Sequence, residues 1–310
     1  MLKEVLDDQD GLASTFKKLE RISSTEEEVF RRLIPKFQAL RINMDEFEGV
    51  YPKEEIERDK RSIEMKKGLF DHVNSPFHQR AQILEALLAE QIELSEWLGG
   101  DAMTIVPTEY DDLYHGVDLA AEFKGTDTLR YLAMGVDVTT SKISIMNKLA
   151  IIKSHIKDGS LTEMKYFTSE GLPDFHGRMT NIPSIVLGAD ARTINELADL
   201  WLTVDNSKNP SSETDSIGRE ELREQAREAQ KKLAHHRAQI LVLRQMEIQL
   251  ETFGRLARKK GHTEIASRFD DLFAFIKAAL SKKRISKADE QINESDDVFR
   301  AIRENLEKFF

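Results

Sequence analysis

The chain has 310 residues, of which 40% are apolar and 32% are charged, and this length is enough for one large domain or two ordinary ones. It contains no cysteine, which excludes catalytic thiolates, disulfides, Cys-ligated zinc and iron–sulfur centres. No apolar stretch approaches the roughly 20 residues of a membrane span, and residues 1–10 lack the apolar region of a signal peptide. We therefore expect a soluble, cytoplasmic protein with no membrane partner.

The formal charge of −10 is unevenly distributed along the chain. Residues 216–310 contain 20 Lys and Arg against 16 Asp and Glu, whereas residues 1–215 contain 25 against 39. This asymmetry predicts different roles for the two parts. An acidic chain argues against broad, nonspecific binding of polyanions, because phosphate affinity comes mainly from Lys and Arg. It does not exclude a local basic strip.

Residues 1–74 have the pattern of an N-terminal helical arm. Near Ser24, hydroxyl side chains precede glutamates at capping-box spacing, and apolar residues follow at helical intervals. Pro35 is expected to kink or end this helix. Pro52 is placed to open a second helix, charged almost throughout, that runs to about His72. We expect this arm to be exposed.

Residues 75–205 have the pattern of an α/β core. Ser75 and Pro76 form a strong start signal for a helix that ends near Trp97. Runs rich in β-branched residues predict strands near residues 103–106, 117–123, 131–139, 164–167 and 182–187. Further helices are predicted over about residues 142–157 and 193–202. We expect an α+β fold, mostly helical, in which a small mixed β-sheet is flanked by helices.

The rest of the chain predicts a linker and then a second helical region. Residues 206–216 are the clearest linker, and residues 217–310 have the pattern of a helical bundle. Apolar residues at alternating spacings of three and four from Leu222 to Leu243 indicate a coiled-coil seam or an antiparallel hairpin. Such a surface suits a protein partner or self-association.

Basic residues cluster at two predicted helix ends in this region. The first cluster is a candidate grip on the phosphate backbone of DNA or RNA and consists of Arg255, Arg258, Lys259 and Lys260. The alternative is that these cations only complement the dipole at the helix C-terminus. No aromatic residue lies between the basic residues, so the pattern does not indicate stacking on single-stranded bases.

Acidic residues interrupt the apolar pattern of two strands in the predicted core. The strands are Gly116–Phe123 and Leu132–Thr139, with a turn at Gly125–Thr128 between them. A hairpin centred on this turn places Asp118 directly opposite Asp137. The alternate positions then form one continuous apolar face that consists of Val117, Leu119, Ala121, Phe123, Leu132, Met134, Val136 and Val138.

Two carboxylates directly opposed across a strand pair repel each other, because their Cβ atoms are only about 5 Å apart. A hard divalent cation, Mg²⁺ or Mn²⁺, would compensate this repulsion, since such ions prefer carboxylate oxygens and water. The neighbouring residues Ala120, Ala133 and Gly135 are small and leave room for a ligand. The alternative is a solvated outer strand face that carries ordinary acids.

The order of these motifs resembles the core of the PD-(D/E)XK nuclease superfamily: a helix with an acid, a strand with Gly-x-Asp, a hairpin partner with Asp-x-x, then a helix and a further strand. The resemblance covers roughly residues 75–204. It implies that Asp118 is the first metal-binding acid, Asp137 the acid of the second motif and Glu85 the acid of the first helix. It also implies a restriction-endonuclease-like core and Mg²⁺- or Mn²⁺-dependent hydrolysis of phosphodiester bonds in DNA or RNA.

The second motif departs from the family at Thr139, which stands where the family has its catalytic lysine. A neutral threonine cannot stabilise developing negative charge as an ammonium does. We expect Lys142, or in second place Lys153, to supply the amine from the following helix. Otherwise the core is a catalytically inactive scaffold, or the chain is a helical protein-interaction protein.

A literal Glu-x-Lys also occurs at Glu122–Lys124, ten residues after Asp112. This second alternative ranks lower, because Lys124 abuts the predicted turn and would lie far from Asp112.

Overall fold

The computed structural model describes residues 21–70, 75–124, 131–172, 174–208, 216–284 and 286–310. Within these ranges the protein has the predicted α+β class: it is mostly helical, with a mixed sheet of four strands and a second sheet of two strands. The predicted hairpin turn lies outside the described residues. So do residues 209–215 of the predicted linker. No helix of the described residues is both long and apolar enough to cross a membrane.

The helices are numbered here in chain order. Helices α1 to α6 are Ser24–Gln38, Lys53–Phe70, Pro76–Ser95, Glu109–His115, Lys142–Lys157 and Ala191–Lys208. Helices α7 to α11 are Ser216–Ala234, Ala238–Lys259, Thr263–Ser281, Lys287–Ser295 and Asp297–Glu307. A short 3₁₀ helix lies between α1 and α2, at Met44–Phe47.

The strands β1 to β6 are Ala102–Ile105, Leu119–Lys124, Tyr131–Val138, Thr162–Thr168, His176–Ile182 and Ser184–Leu187. The larger sheet has the order β1-β2-β3-β6, in which β1, β2 and β3 are antiparallel and β6 is parallel to β3. A parallel pair needs a crossover connection. Here α5 provides the crossover, and the two-stranded sheet β4-β5 follows α5 before the chain enters β6.

The β2–β3 ladder has the predicted register. Leu119 pairs with Val136 and Ala120 with Gly135, and the Asp118 amide donates to the Val136 carbonyl at 2.9 Å. The ladder ends at the Leu119–Val136 pair, and Asp118 lies directly before β2, at the end of the hairpin away from the turn. The predicted antiparallel pairing and its register are confirmed for β2 and β3.

Both faces of this hairpin are buried, so the alternative of a solvated outer face is wrong. The predicted core face lies in the largest apolar cluster, which extends from Val29 in α1 to Phe309 after α11. The opposite face is covered by β4 and β5 in a second cluster of Ile105, Val117, Ala120, Met164, Phe167 and Ile182. Val117 is thus on the other face from the one predicted. It precedes β2 and follows Gly116, whose φ of +65° turns the chain before strand alternation begins.

Helix α1 is not part of an exposed arm. Its apolar side chains Val29, Leu33 and Phe37 belong to the largest cluster, and α1 packs against α3 and α6. Glu26 and Arg80 form a buried ion pair at 2.7 Å between α1 and α3. The helix continues through Pro35 to Gln38 instead of ending there. The apolar residues that recur at helical spacing in α1 therefore form its buried face.

The C-terminal helices do not form the predicted coiled-coil seam. The chain leaves helical geometry around His235 and His236, so the apolar repeat is divided between α7, which packs on α6, and α8, which packs on α9 and β6. Helix α6 runs to Lys208, so residues 206–208 of the predicted linker are helical. Since α8 carries many residues of the largest cluster, these helices share a core with the sheet.

Two glutamines of α8 close the free edge of β6. Gln249 accepts from the Val186 amide at 2.9 Å and donates to its carbonyl at 2.7 Å. Gln245 bonds the amide and carbonyl of Gly188 in the same way, at 3.0 and 2.7 Å. Both side chains are fully buried. The amides thus replace a neighbouring strand, and they satisfy backbone groups that would otherwise be buried without partners.

Gln249→Leu is expected to destabilise the fold by about 3 kcal/mol, because it leaves a buried N–H and a buried C=O of Val186 without partners. Equilibrium unfolding in urea measures this change. Gln230→Leu, on the exposed side of α7, is the control and should change the free energy of unfolding by less than about 0.5 kcal/mol. Equal stability of the two variants would contradict the proposed edge role.

Candidate functional site

The acids predicted from the sequence meet where β2 begins and β3 ends. Asp118 precedes β2, and its Oδ2 accepts from the Val138 amide at 2.6 Å. This hydrogen bond ties the Asp118 carboxylate to β3, beside Asp137. Removal from water and the nearby carboxyl of Asp137 together raise the pKa of Asp118. The convergence of the pair thus follows from the hydrogen bond between Asp118 and the strand that carries Asp137.

Lys148 of α5 supplies an amine to this pair. Its Nζ donates to Asp137 Oδ1 and also to the Val138 carbonyl at 3.1 Å. Removal from water acts to lower the pKa of Lys148, but Asp137 and Asp118 outweigh this effect, and the net shift is upward. The ammonium therefore stays charged beside the acids.

The two lysines predicted for this role lie elsewhere, so those predictions are wrong. Lys142 is 60% exposed and faces Asp297 at 3.6 Å. Lys153 donates to the carbonyl of Lys308 at 3.0 Å and lies over the Phe309 ring. The physical reason is helical periodicity. Lys148 directly precedes Leu149 and borders the buried stripe of α5, and that position turns it toward the sheet.

Two further acids surround the pair, and with it they form the acid cluster of Glu85, Asp112, Asp118 and Asp137. Glu85 lies on α3, the helix to which the resemblance assigns an acid, and its side chain is half-buried. Its pKa is well above the usual range because of removal from water and of the nearby carboxylates of Asp118 and Asp112. Asp112 of α4 accepts from both terminal nitrogens of Arg41 at 3.0 Å. No sequence pattern points to Arg41, which lies 71 residues from Asp112 in the chain.

The alternative Glu-x-Lys motif does not form a site with Asp112. Glu122 is fully buried, and its Oε2 accepts from the amides of Glu170 and Gly171 at 2.9 and 3.0 Å. Lys124 is exposed at the end of β2. Glu122 thus anchors the loop between β4 and β5, whereas Asp112 belongs to the acid cluster.

The electrostatics of the acid cluster are unbalanced. Removal from water and the neighbouring Asp137 raise the pKa of Asp118 to about 7. Removal from water and Asp118 raise the pKa of Asp112 to about 7 as well, although Arg41 opposes the shift. The pKa of Asp137 is also raised by removal from water, against the effect of Lys148. Four carboxyl groups thus share two cations, and their ionisation is suppressed.

A cavity of about 490 Å³ opens beside Asp137 and Lys148, within the size range of ligand pockets. Its wall also includes His115, Glu163 and Ser184. Asp137 Oδ2 faces Gly116, where a Cβ would lie 3.8 Å from that oxygen. The acid–lysine pair is therefore open to a small ligand.

The chemistry of the acid pair fits a hard divalent cation, but only in part. In the portion of the chain that the structure describes, no group of three or more His, Asp or Glu side chains is placed to hold a metal ion by itself. Mg²⁺ often binds through one or two carboxylates, with water and substrate phosphate as its other ligands. Asp118 and Asp137 match this pattern, and removal from water raises the pKa of both acids although Lys148 opposes each shift.

The basic residues at the end of α8 are already engaged in part. Arg258 forms an ion pair with Asp270. The Arg255 guanidinium lies 4.7 Å from the centre of the Phe310 ring, and the Lys259 ammonium lies 5.5 Å from it. Arg255, Lys259 and the exposed Lys260 remain directed to the surface. Their role in binding nucleic acid stays a prediction.

The raised pKa values of Asp112 and Asp118 predict that the metal-free protein is less stable at pH 8 than at pH 5. Each of these carboxyl groups has a higher pKa in the folded state, about 7, than in the unfolded state, about 3.9. The folded protein therefore loses stability as the pH rises between these two values. Asp118→Asn keeps a side-chain oxygen that accepts from the Val138 amide, and it removes the ionisation of one of these carboxyl groups. It should raise Tm at pH 8 and flatten the pH dependence.

Scanning calorimetry in EDTA at pH 5 and pH 8 measures this effect. Asp101→Asn, at an exposed position, is the control and should follow the wild type. An Asp118→Asn variant with the pH dependence of the wild type would show that Asp118 ionises normally in the folded state.

Comparison of the chain with models of known protein families, with curated proteins and with solved structures found no match.

Proposed function

We propose that the chain is a metal-dependent phosphodiesterase of the nuclease type, with a restriction-endonuclease-like core, that acts on nucleic acid. The observation that carries the proposal is the ammonium of Lys148 beside Asp137 and Asp118 at an open cavity. A pair of acids with an adjacent lysine is the set of side chains that the superfamily resemblance requires. Lys148 replaces the amine that Thr139 lacks.

The order and direction of the secondary structure support the same proposal. An acid-bearing helix, α3, precedes the antiparallel strands β1, β2 and β3. Helix α5 then crosses to β6, which is parallel to β3. The resemblance implies the acid-bearing helix, the β2–β3 hairpin, the following helix and the further strand in this order. Strand β1, helix α4 and the sheet β4-β5 are additions to it.

Each side chain has a defined part in this proposal. Asp118 and Asp137 would hold Mg²⁺ or Mn²⁺, and Glu85 would approach the ion from α3. When bound, such an ion activates water and stabilises charge on a phosphoryl oxygen. The Lys148 ammonium would orient the attacking water and stabilise negative charge that develops on the phosphate. Arg41 would oppose the upward shift of the Asp112 pKa, and so favour a negative charge on Asp112 near the metal site.

A catalytically inactive scaffold, or an interaction protein, is the second candidate. Thr139 in the second motif favours it, and so does the ion pair that already occupies Asp137. In that case Lys148 would serve only to neutralise a buried acid. The two candidates differ in what a divalent metal and the Lys148 variant should do.

Mn²⁺ should raise the Tm of the wild type as its concentration increases, because a ligand that binds only the folded state stabilises that state. The shift should be absent in Asp118→Asn and Asp137→Asn, and it should be kept in Asp101→Asn. Thermal unfolding at pH 8, where the carboxyl groups are ionised, gives the measurement. The same Mn²⁺ response in all four proteins would remove the metal site.

Lys148→Met should reduce Mn²⁺-dependent cleavage of nucleic acid by about a hundredfold or more, since it removes a charged group at the reacting phosphate. Lys142→Met is the matched control on the same helix and should cleave as the wild type does. The assay uses single- and double-stranded DNA and RNA, and Tm values verify folding.

Thr139→Lys separates the two candidate functions. Cleavage by Thr139→Lys alone would indicate an inactive core that keeps the geometry of the family. No cleavage by any of these proteins, together with no Mn²⁺ shift, would favour the interaction protein, and the C-terminal helices would then be tested for partners.

A further inference from the structure

A second polar pair lies on the wall of the same cavity. The imidazole of His115, at the end of α4, bonds through Nδ1 to Asp111 Oδ1 at 2.8 Å. Its Nε2 lies 3.6 Å from Glu163 Oε1. His115 and Glu163 both line the cavity that contains Asp137 and Lys148. The pair was not found in the sequence, because Asp111 and His115 there look like ordinary residues of a short helix.

Asp111 is held more firmly than an ordinary helical acid. It is fully buried, and it accepts from the Lys165 amide at 2.6 Å and the Tyr166 amide at 3.1 Å on β4. The Thr108 hydroxyl donates to it at 2.8 Å. These contacts fix the carboxylate before it meets the imidazole. Asp111 is therefore a positioning residue that fixes both the orientation and the Nδ1 proton of His115.

The other nitrogen of His115 is the one available for chemistry. With Nδ1 committed to Asp111, Nε2 lies at the cavity wall near Glu163. A doubly protonated imidazole donates from both nitrogens, and here each nitrogen has a carboxylate nearby. This arrangement is suited to holding a proton and then releasing it to a ligand in the cavity.

We infer that His115 is the general acid of the proposed phosphodiester hydrolysis, an assignment that rests on the proposed function. Water forms a bond to phosphorus, and the bond from phosphorus to the leaving sugar oxygen breaks, with its electron pair kept by that oxygen. His115 Nε2–H gives its proton to the oxygen, which leaves as an alcohol. The proton released by the attacking water restores the imidazolium through solvent. Asp137 and Lys148 act at the phosphate, and His115 acts at the leaving group.

The test compares two substrates whose leaving groups differ in their need for a proton. A DNA oligonucleotide loses a sugar alkoxide, which must be protonated. Bis(p-nitrophenyl) phosphate loses p-nitrophenolate, which is stable without a proton.

His115→Asn is the variant of choice, because its amide nitrogen can replace Nδ1 as the donor to Asp111 while Nε2 is lost. His235→Asn, exposed between α7 and α8, is the control.

With Mn²⁺, His115→Asn should cleave the oligonucleotide about a hundredfold more slowly than the wild type, but bis(p-nitrophenyl) phosphate within about threefold of the wild-type rate. An equal loss on both substrates, or no loss on the oligonucleotide, would overturn the general-acid assignment while the proposed function stands. Failure of the wild type to cleave either substrate would instead overturn the proposed function, and this assignment with it.

Discussion

The hydrogen bond from the Val138 amide to the Asp118 carboxylate holds Asp118 beside Asp137, and the repulsion between these two acids is the constraint that the surrounding side chains must meet. The acid cluster is a chain of contacts in which Asp118 lies between Asp112 and Asp137. A cation stands at each end: Arg41 on Asp112 and Lys148 on Asp137. Removal from water, and after it the neighbouring Asp137, raises the pKa of this central acid to about 7.

Burial of both sheet faces makes this repulsion stronger than it would be on a surface. The second face is covered by β4 and β5, which follow the crossover helix. Charges removed from water interact through a lower effective dielectric, and an unpaired acid there is costly. Other buried acids are stabilised by cations or by backbone amides. Glu122 and Asp296 accept from backbone amides. Glu26 has Arg80, and Asp205 has both Arg32 and Lys36, which lower its pKa.

In the acid cluster, by contrast, four carboxyl groups share two cations. Perturbed acids of this kind gather at functional sites more often than at structural ones. An added divalent charge would restore the balance that the ion pairs achieve elsewhere. This contrast within one chain is the electrostatic argument for a ligand at the acid cluster.

Local patterns predicted the hairpin well, since strand alternation and a turn together determine which residues face each other. The register of β2 against β3 and the bounds of α5 follow from such patterns. Lys148 could have been found from its place beside the buried stripe of α5, but the family spacing favoured a nearer lysine. Arg41 and the Asp111–His115 pair depend on contacts between elements far apart in the chain. No spacing rule within one segment reveals them.

The amine of the site is carried on a helix and not on the strand, and this links the acid cluster to the C-terminal helices. Helix α5 keeps its position by packing against α8, α11 and β6. At the end of β3, the Thr139 amide donates to the Leu187 carbonyl at 2.9 Å. Gly188, which follows Leu187, approaches Thr139 so closely that a Cβ at position 188 would lie 2.0 Å from the Thr139 carbonyl oxygen.

Gln245 of α8 fixes the backbone of Gly188 from the other side. The contacts of Gln245 with Gly188, and of Gly188 with Thr139, therefore fix the end of β3 that carries Asp137. The same helix α8 also supports α5, which carries Lys148. Since the two partners of the central ion pair are positioned by one set of C-terminal contacts, residues 217–310 are part of the architecture of the acid cluster.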